Sequence, residues 1–142
     1  LSDNARVPFK EVAALCKVSR AAVHQRVQRL IDNHIMLGSS FDVNPVYLGY
    51  PLLTYVGVHL EHSKCYPHVV EDLKAIPEVG ECHCVTGSYD ILLKLYAHDN
   101  AHLMSLLNAQ VQTIAGVVST ETLVCLDESI RRELPIQIAD EK

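Results

Sequence analysis

The sequence predicts an α+β chain: an N-terminal (winged) helix-turn-helix domain followed by a C-terminal ferredoxin-like βαββαβ domain. Three observations predict it. Apolar residues between Phe9 and Ile31 recur at helical spacing, and from Leu52 the period changes to two before strand and helix patterns alternate. The two regions also carry opposite charge. The expected parts are a helix-turn-helix domain at residues 1–45, a linker at 46–51 and the second domain at 52–142.

In the first part, residues 8–17 read as a helix, with Pro8 suited to a first turn and Phe9, Val12, Ala13 and Cys16 on one face. Lys17-Val18 breaks that pattern, and Ser19 has the chemistry of an N-cap for a second helix ending near Ile31. Its apolar stripe is Ala22, Val23, Val27, Leu30 and Ile31; Arg20, Ala21, His24, Gln25, Gln28 and Arg29 face away. Asp32-Asn33-His34 signals a turn, and the mixed stretch from Ile35 to Pro45 reads as a short strand or wing.

In the second part, residues 52–62 alternate as a strand, and residues 66–76 place Val69, Val70, Leu73 and Ile76 on one helical stripe. Residues 80–86 and 89–97 are strands around a Gly87-Ser88 turn. Residues 100–114 return to helical spacing through Leu103, Leu106, Leu107, Val111 and Ile114, and 117–127 form a β-branched strand. Both faces of this sheet read as apolar: Ile91, Leu93 and Leu95 oppose Leu92 and Tyr96, and Val117, Leu123 and Cys125 oppose Val118, Val124 and Leu126. Two helices cover one face only, so the other is expected to meet a second copy, giving a dimer.

Composition narrows the class. The chain has 142 residues, 49% hydrophobic and 20% charged, which excludes a disordered tail. No apolar run reaches the roughly 18–20 residues that span a bilayer. The chain starts Leu-Ser-Asp-Asn, so no signal peptide is legible and earlier N-terminal sequence is expected. Five irregularly spaced cysteines argue against a secreted disulfide framework and for a reducing cytoplasm. The net charge of −5 divides unevenly: residues 1–48 hold six Lys/Arg and four Asp/Glu, the remainder six and thirteen. A solvated helix face and a polyanion-binding surface both account for the cationic end.

With these elements in this order, the sequence resembles the Lrp/AsnC (feast/famine) family of transcription regulators. In the first part the resemblance rests on Arg6, Phe9, Glu11-Val12-Ala13, Val18-Ser19, Val23, Arg26-Val27, Arg29-Leu30, Ile35, Gly38 and Asn44-Pro45. In the second it rests on Gly87-Ser88-Tyr89-Asp90-Ile91-Leu92-Leu93-Lys94, Ile114-Ala115-Gly116-Val117 and Thr120-Glu121-Thr122. It spans roughly residues 3–134. Two departures stand out: the family's first DNA-binding helix would precede Leu1, and a glycine usual after the recognition helix is His34, so Asn33 is expected to supply the turn. The resemblance implies a cytoplasmic DNA-binding regulator that is not an enzyme, has no cofactor, and binds an amino acid or similar effector. It also implies a homodimer and an octamer of four dimers.

On that basis the DNA-contacting residues are Ser19, Arg20, Ala21, His24 and Gln25, near the start of the recognition helix. Arg suits guanine O6/N7, Gln suits adenine N6/N7, and Ala suits the thymine methyl. Arg26 and Arg29 are assigned to phosphates or to bracing the helix. The effector residues are Gly87, Ser88, Tyr89, Asp90, Thr120 and Thr122. Gly87-Ser88 would offer backbone N–H groups to a carboxylate, Asp90 a countercharge to an ammonium, and the two threonines hydroxyls on one strand face. A plain tight hairpin with a threonine ladder is the competing reading. Cys82-His83-Cys84 has the wrong spacing for zinc on a strand, so no metal is expected. Two further functions share this architecture: a decarboxylase of siroheme-type tetrapyrroles, and a ligand sensor without DNA binding.

Overall fold

The computed structural model describes residues 1–134, so residues 135–142 of the expected second domain lie outside the described residues. The chain divides into two compact units, the first holding Leu1–Val43 and the described chain after Arg131, the second Asn44–Arg131. No helix among the described residues is long and apolar enough to cross a membrane.

The first unit is built on α1 (Phe9–Cys16) and α2 (Arg20–Asp32). Ser19 caps α2 as its chemistry predicts: in extended backbone, its hydroxyl oxygen accepts the Ala22 N–H at 3.1 Å. The sharp turn between the helices is made by Lys17, which adopts the left-handed conformation (φ 51°) and closes α1 with N–H donation to Ala13 and Ala14. Of the two predicted apolar stripes only Ala13 and Val23 are buried, so the helix pair meets through small side chains at its crossing.

The turn after α2 differs from expectation. Asn33 stays at φ −86°, and His34 itself takes the left-handed conformation (φ 56°). The closing bonds explain why: the His34 N–H reaches Ile31 and the Ile35 N–H reaches Leu30, both at 2.9 Å. This geometry needs positive φ one residue beyond Asn33. A left-handed non-glycine residue costs about 1–2 kcal/mol, a gain for glycine that its greater unfolded-state freedom offsets in part. His34→Gly is therefore expected to stabilise the first unit by about 1 kcal/mol. Urea unfolding checks this, and an unchanged or lowered midpoint contradicts it.

The expected strand or wing is not formed. Residues 35–44 carry no strand, because no segment among the described residues pairs with them. Phe41 is held instead by the Arg6 guanidinium, 4.3 Å from its ring centroid. The expected linker is also structured. Asn44 accepts the Val46 N–H at 3.1 Å and opens a 3-10 turn, Pro45–Leu48, that belongs to the second unit. Beyond it, Tyr50 stacks on His98 with centroids 4.1 Å apart.

The second unit is β1 (Leu52–Leu60), α3 (Tyr66–Lys74), β2 (Val79–Cys84), β3 (Ile91–Ala97), α4 (Asn100–Ser105) and β4 (Val117–Val124). A π turn, Leu106–Val111, continues α4. The sheet order β2-β3-β1-β4 is antiparallel throughout, as expected of a ferredoxin-like unit. Val56 and Val58 of β1 and Ile91, Leu93 and Leu95 of β3 form the sheet side of the core. Val69 and Leu73 of α3, with Leu103, Leu106 and Val111, form the helix side. Fully burying each such side chain contributes roughly 1.5–3 kcal/mol.

The opposite face is less apolar than the sequence pattern implies. Pairing places Tyr55, Gly57 and His59 of β1 beside Leu123, Glu121 and Ser119 of β4. On the other flank Lys94 and Leu92 of β3 lie beside Glu81 and His83 of β2. Lys94 Nζ stands 3.5 Å from Glu81 Oε1, and His83 Nε2 lies 2.9 Å from Oε2. The reason is parity: Val124 pairs with buried Thr54, so Thr120, Thr122 and Val124 take the helix side and Glu121 turns outward, while a bulge before Ser119 puts Val117 and not Val118 against the core. Within the strands, the exposed large apolar residues are Val118, Leu123 and Val124 of the β4 edge, followed by Leu126 just beyond it.

Candidate nucleic-acid interface and ligand site

The outer face of α2 follows from its 3.6-residue period once Val23 is buried against α1. Arg20, Ala21 and Gln25 are exposed, as are Arg26 and Arg29. None of these arginines forms an ion pair among the described residues, so their charge is available to a polyanion. Two predicted contact residues have local duties. The Ser19 hydroxyl is spent on the cap, and the His24 ring packs edge-on against Phe9 with centroids 4.5 Å apart. Gln28 is tied back to Asp32, Nε2 donating to Oδ1 at 2.9 Å. A 13-residue helix with this face is about 20 Å long and 10–12 Å across, matching the roughly 12 Å width of a DNA major groove.

The residues expected to hold a ligand divide between the two faces of the sheet. Gly87 has φ 106°, and a Cβ there would meet nothing within 4 Å, so the hairpin tip is open. Tyr89 lies on the outer face: its hydroxyl donates to Glu121 Oε2 at 2.6 Å, and its ring is 5.3 Å from that of His59. The bond to Glu121 pushes the Tyr89 hydroxyl above the usual tyrosine range, so it remains a proton donor at neutral pH. Gly57 permits this arrangement, since any Cβ at that position would lie 2.4 Å from Tyr89 Cδ1. Asp90 is partly committed: Oδ2 accepts the Leu60 N–H at 2.8 Å, while its own N–H donates to Val58. It thereby staples the hairpin to β1 and keeps its other carboxylate oxygen.

Thr120 and Thr122 do share a strand face, but it is the helix side. They pair with Val58 and Val56, and the Thr120 hydroxyl accepts from Gln112 Nε2 at 2.8 Å. Tyr89 therefore stands against Glu121, His59 and Gly57 on the outer face, Asp90 holds the backbone of Val58 and Leu60, and the two threonines lie on the other side of the sheet. Sequence reasoning misses Glu121 although it sits between the threonines. Parity says that residues 120 and 122 share a side; only the pairing with β1 says which side that is.

Of Cys82-His83-Cys84, only Cys82 packs against the core, and His83 and Cys84 are exposed. Burial, followed by the neighbouring Cys84, pushes the Cys82 thiol up, while His83 turns the other way to Glu81. That contact, opposed by partial burial and aided by Lys94, holds the Glu81 carboxyl below its usual range. A separate open hollow of about 360 Å³ lies between α3 and the π turn, lined by Asp72, Gln110 and Thr113 among others. It is not part of the hairpin.

A helix pair with a cationic outer face, joined to a ferredoxin-like unit, defines a class of two-part regulators. Comparison with known proteins gives the family. Residues 1–31 match the AsnC-type helix-turn-helix domain, and residues 53–135 match the Lrp/AsnC ligand binding domain. The regulatory protein AsnC of Haemophilus influenzae is 34% identical over 134 residues, covering 94% of this chain and 89% of that protein. The structure of Escherichia coli AsnC superposes with a TM-score of 0.88 at 34% identity, over 93% of this chain and 89% of that one. A feast or famine regulatory protein from Mycobacterium tuberculosis, solved in complex with L-methionine, gives a TM-score of 0.85 at 26% identity, over 95% and 92%. The chain belongs to the Lrp/AsnC family of helix-turn-helix transcription regulators.

Proposed function

We propose that this chain binds double-stranded operator DNA through α2 and responds to a free amino acid held at the Gly87–Asp90 hairpin. The observation that carries the reading is the outer face of α2, where Arg20, Ala21 and Gln25 stand exposed between the cap at Ser19 and the cations Arg26 and Arg29. Arg20 and Gln25 supply base-edge hydrogen bonds, Ala21 an apolar contact, and Arg26 and Arg29 phosphate contacts. His24 shapes the helix pair as well as facing the groove. A single head has a small net positive charge, so tight binding requires two or more heads on one duplex.

For the effector, the open turn at Gly87-Ser88 offers N–H groups to a carboxylate, and the second oxygen of Asp90 faces the ammonium. Tyr89 and Glu121 form one wall of the site, while Thr120 and Thr122 act from the other side of the sheet by fixing β4. The L-methionine complex of the mycobacterial relative supports an amino acid as the ligand class. The exposed apolar edge of β4 supports pairing with a second copy, and an octamer of four dimers extends it. The reading is of a cytoplasmic regulator without a catalytic centre, because relatives matched over nearly their full length are named as regulators and not as tetrapyrrole decarboxylases.

Calorimetric titration with the twenty amino acids, with sedimentation of the same samples, tests this. One or a few amino acids are expected to release heat with a chain at least dimeric. No heat from any of them, or a monomer at micromolar concentration, counts against it.

A further inference from the structure

Glu61, His62 and Cys65 lie where β1 runs into α3, directly after the Leu60 N–H that Asp90 accepts. One donor atom from each falls within 4.8 Å of the others. The local fold explains their meeting. Ser63–Cys65 is a single 3-10 turn in which the Cys65 N–H donates to His62 at 3.0 Å. His62 enters this turn in extended backbone, and the turn brings Cys65 Sγ to 3.4 Å from His62 Nδ1 and 3.8 Å from Nε2. A sulfur and a nitrogen sharing a tetrahedral zinc ion, at roughly 2.3 and 2.0–2.1 Å from it, are about 3.5 Å apart. The pair has that sulfur–nitrogen spacing, the exposed His62 ring has to turn to aim a nitrogen lone pair at the ion because Sγ now faces both ring nitrogens, and Glu61 is an exposed side chain able to close the remaining distance.

The surroundings hold the Cys65 sulfur in place. Cys65 is 5% exposed, and Gly116 lies against it: a Cβ there would stand 2.9 Å from Sγ. Gly116 is drawn in by the Glu61 N–H, which donates to its carbonyl at 2.8 Å. Beside it, His68 Nε2 lies 2.6 Å from the Ala115 carbonyl oxygen, so that ring is engaged by the backbone and stands outside the three-donor group.

We propose that Glu61, His62 and Cys65 form a binding site for a zinc-class divalent transition metal, with the fourth position left to solvent. Thiolate, imidazole and carboxylate together select zinc or cobalt over magnesium or calcium, which take oxygen donors. Binding releases the thiol proton to solvent and leaves the imidazole neutral. The bound ion clips the end of β1 and the start of α3 beside the turn that leads into β4.

Cobalt(II) titration of the chelator-treated chain tests the proposal. The expected result is a thiolate-to-cobalt charge-transfer band and intense tetrahedral d–d bands, saturating at one equivalent and reversed by zinc. Cys65→Ser should abolish the charge-transfer band, and the double variant Cys82→Ser/Cys84→Ser should keep it. His62→Ala, at an exposed position, should weaken cobalt binding by more than the about 10–100-fold loss caused by removing a ligand's hydrogen-bond partner. The unfolding temperature should rise with zinc in the parent chain and not in His62→Ala. No charge-transfer band, or the same affinity in His62→Ala, overturns the proposal even if Cys65→Ser fails to fold.

Discussion

Replacing Arg20, Arg26 and Arg29 together with alanine is expected to lower operator affinity by at least about 1000-fold at physiological salt and to leave the fold intact. A good bidentate contact from Arg20 to guanine contributes about 1–3 kcal/mol of base discrimination. Removing Arg26 or Arg29, each proposed to hold a phosphate, is expected to lower the slope of log affinity against log salt by about 0.9, in every head of an oligomer. The fold should survive because all three side chains are exposed and without ion pairs among the described residues, and alanine is the better helix former. Fluorescence anisotropy across a salt series separates the contributions. Arg20→Ala/Gln25→Ala should flatten sequence preference while keeping most of the salt slope, whereas Arg26→Ala/Arg29→Ala should flatten the slope and keep the preference. Wild-type affinity and slope in the triple variant would contradict a DNA role for this face.

Gly57→Val should uncouple the ligand site from an otherwise folded chain. The centre of β1 has no room for a side chain on its outer face, since a Cβ would lie 2.4–2.6 Å from three atoms of the Tyr89 ring. Tyr89 must then swing away, which breaks its 2.6 Å bond to Glu121 and opens the wall of the hairpin. Overpacking of this kind costs about 1–3 kcal/mol, offset in part by valine's preference for strands. Amino-acid binding is expected to weaken at least about tenfold, which corresponds to about 1.4 kcal/mol. Adding Tyr89→Ala should restore stability by vacating the space, without restoring binding. Wild-type stability and wild-type affinity in Gly57→Val would show that the Tyr89–Glu121 wall is not part of the site.

Much of the molecule is legible in its sequence because it is governed by local chemistry. Ser19 before a helical stripe is a cap wherever it occurs, and the alternation of β3 marks Ile91, Leu93 and Leu95 as core without knowledge of their neighbours. Expectation fails where the outcome depends on a partner. His34 and not Asn33 takes positive φ because the closing bonds to Leu30 and Ile31 place the turn one residue later. The wing is absent because a strand requires a neighbour, which residues 35–44 lack among the described residues. Thr120 and Thr122 stand apart from the hairpin because their common side is legible in the sequence, but its direction is set by Val56 and Val58. Cys82-His83-Cys84 stands out by composition, while His62 and Cys65 meet only because a 3-10 turn folds between them.

The exposed face of α2 is proposed to read DNA in a way that an amino acid at the hairpin changes. Selection of bound fragments from a genomic library, with and without the amino acid that gives heat in calorimetry, tests it most directly. Fragments sharing one short motif are expected to be enriched, the enrichment to shift when the amino acid is added, and the motif to disappear with Arg20→Ala/Gln25→Ala. Recovery of the same random fragments by the parent chain and this variant, with the amino acid or without it, would contradict it.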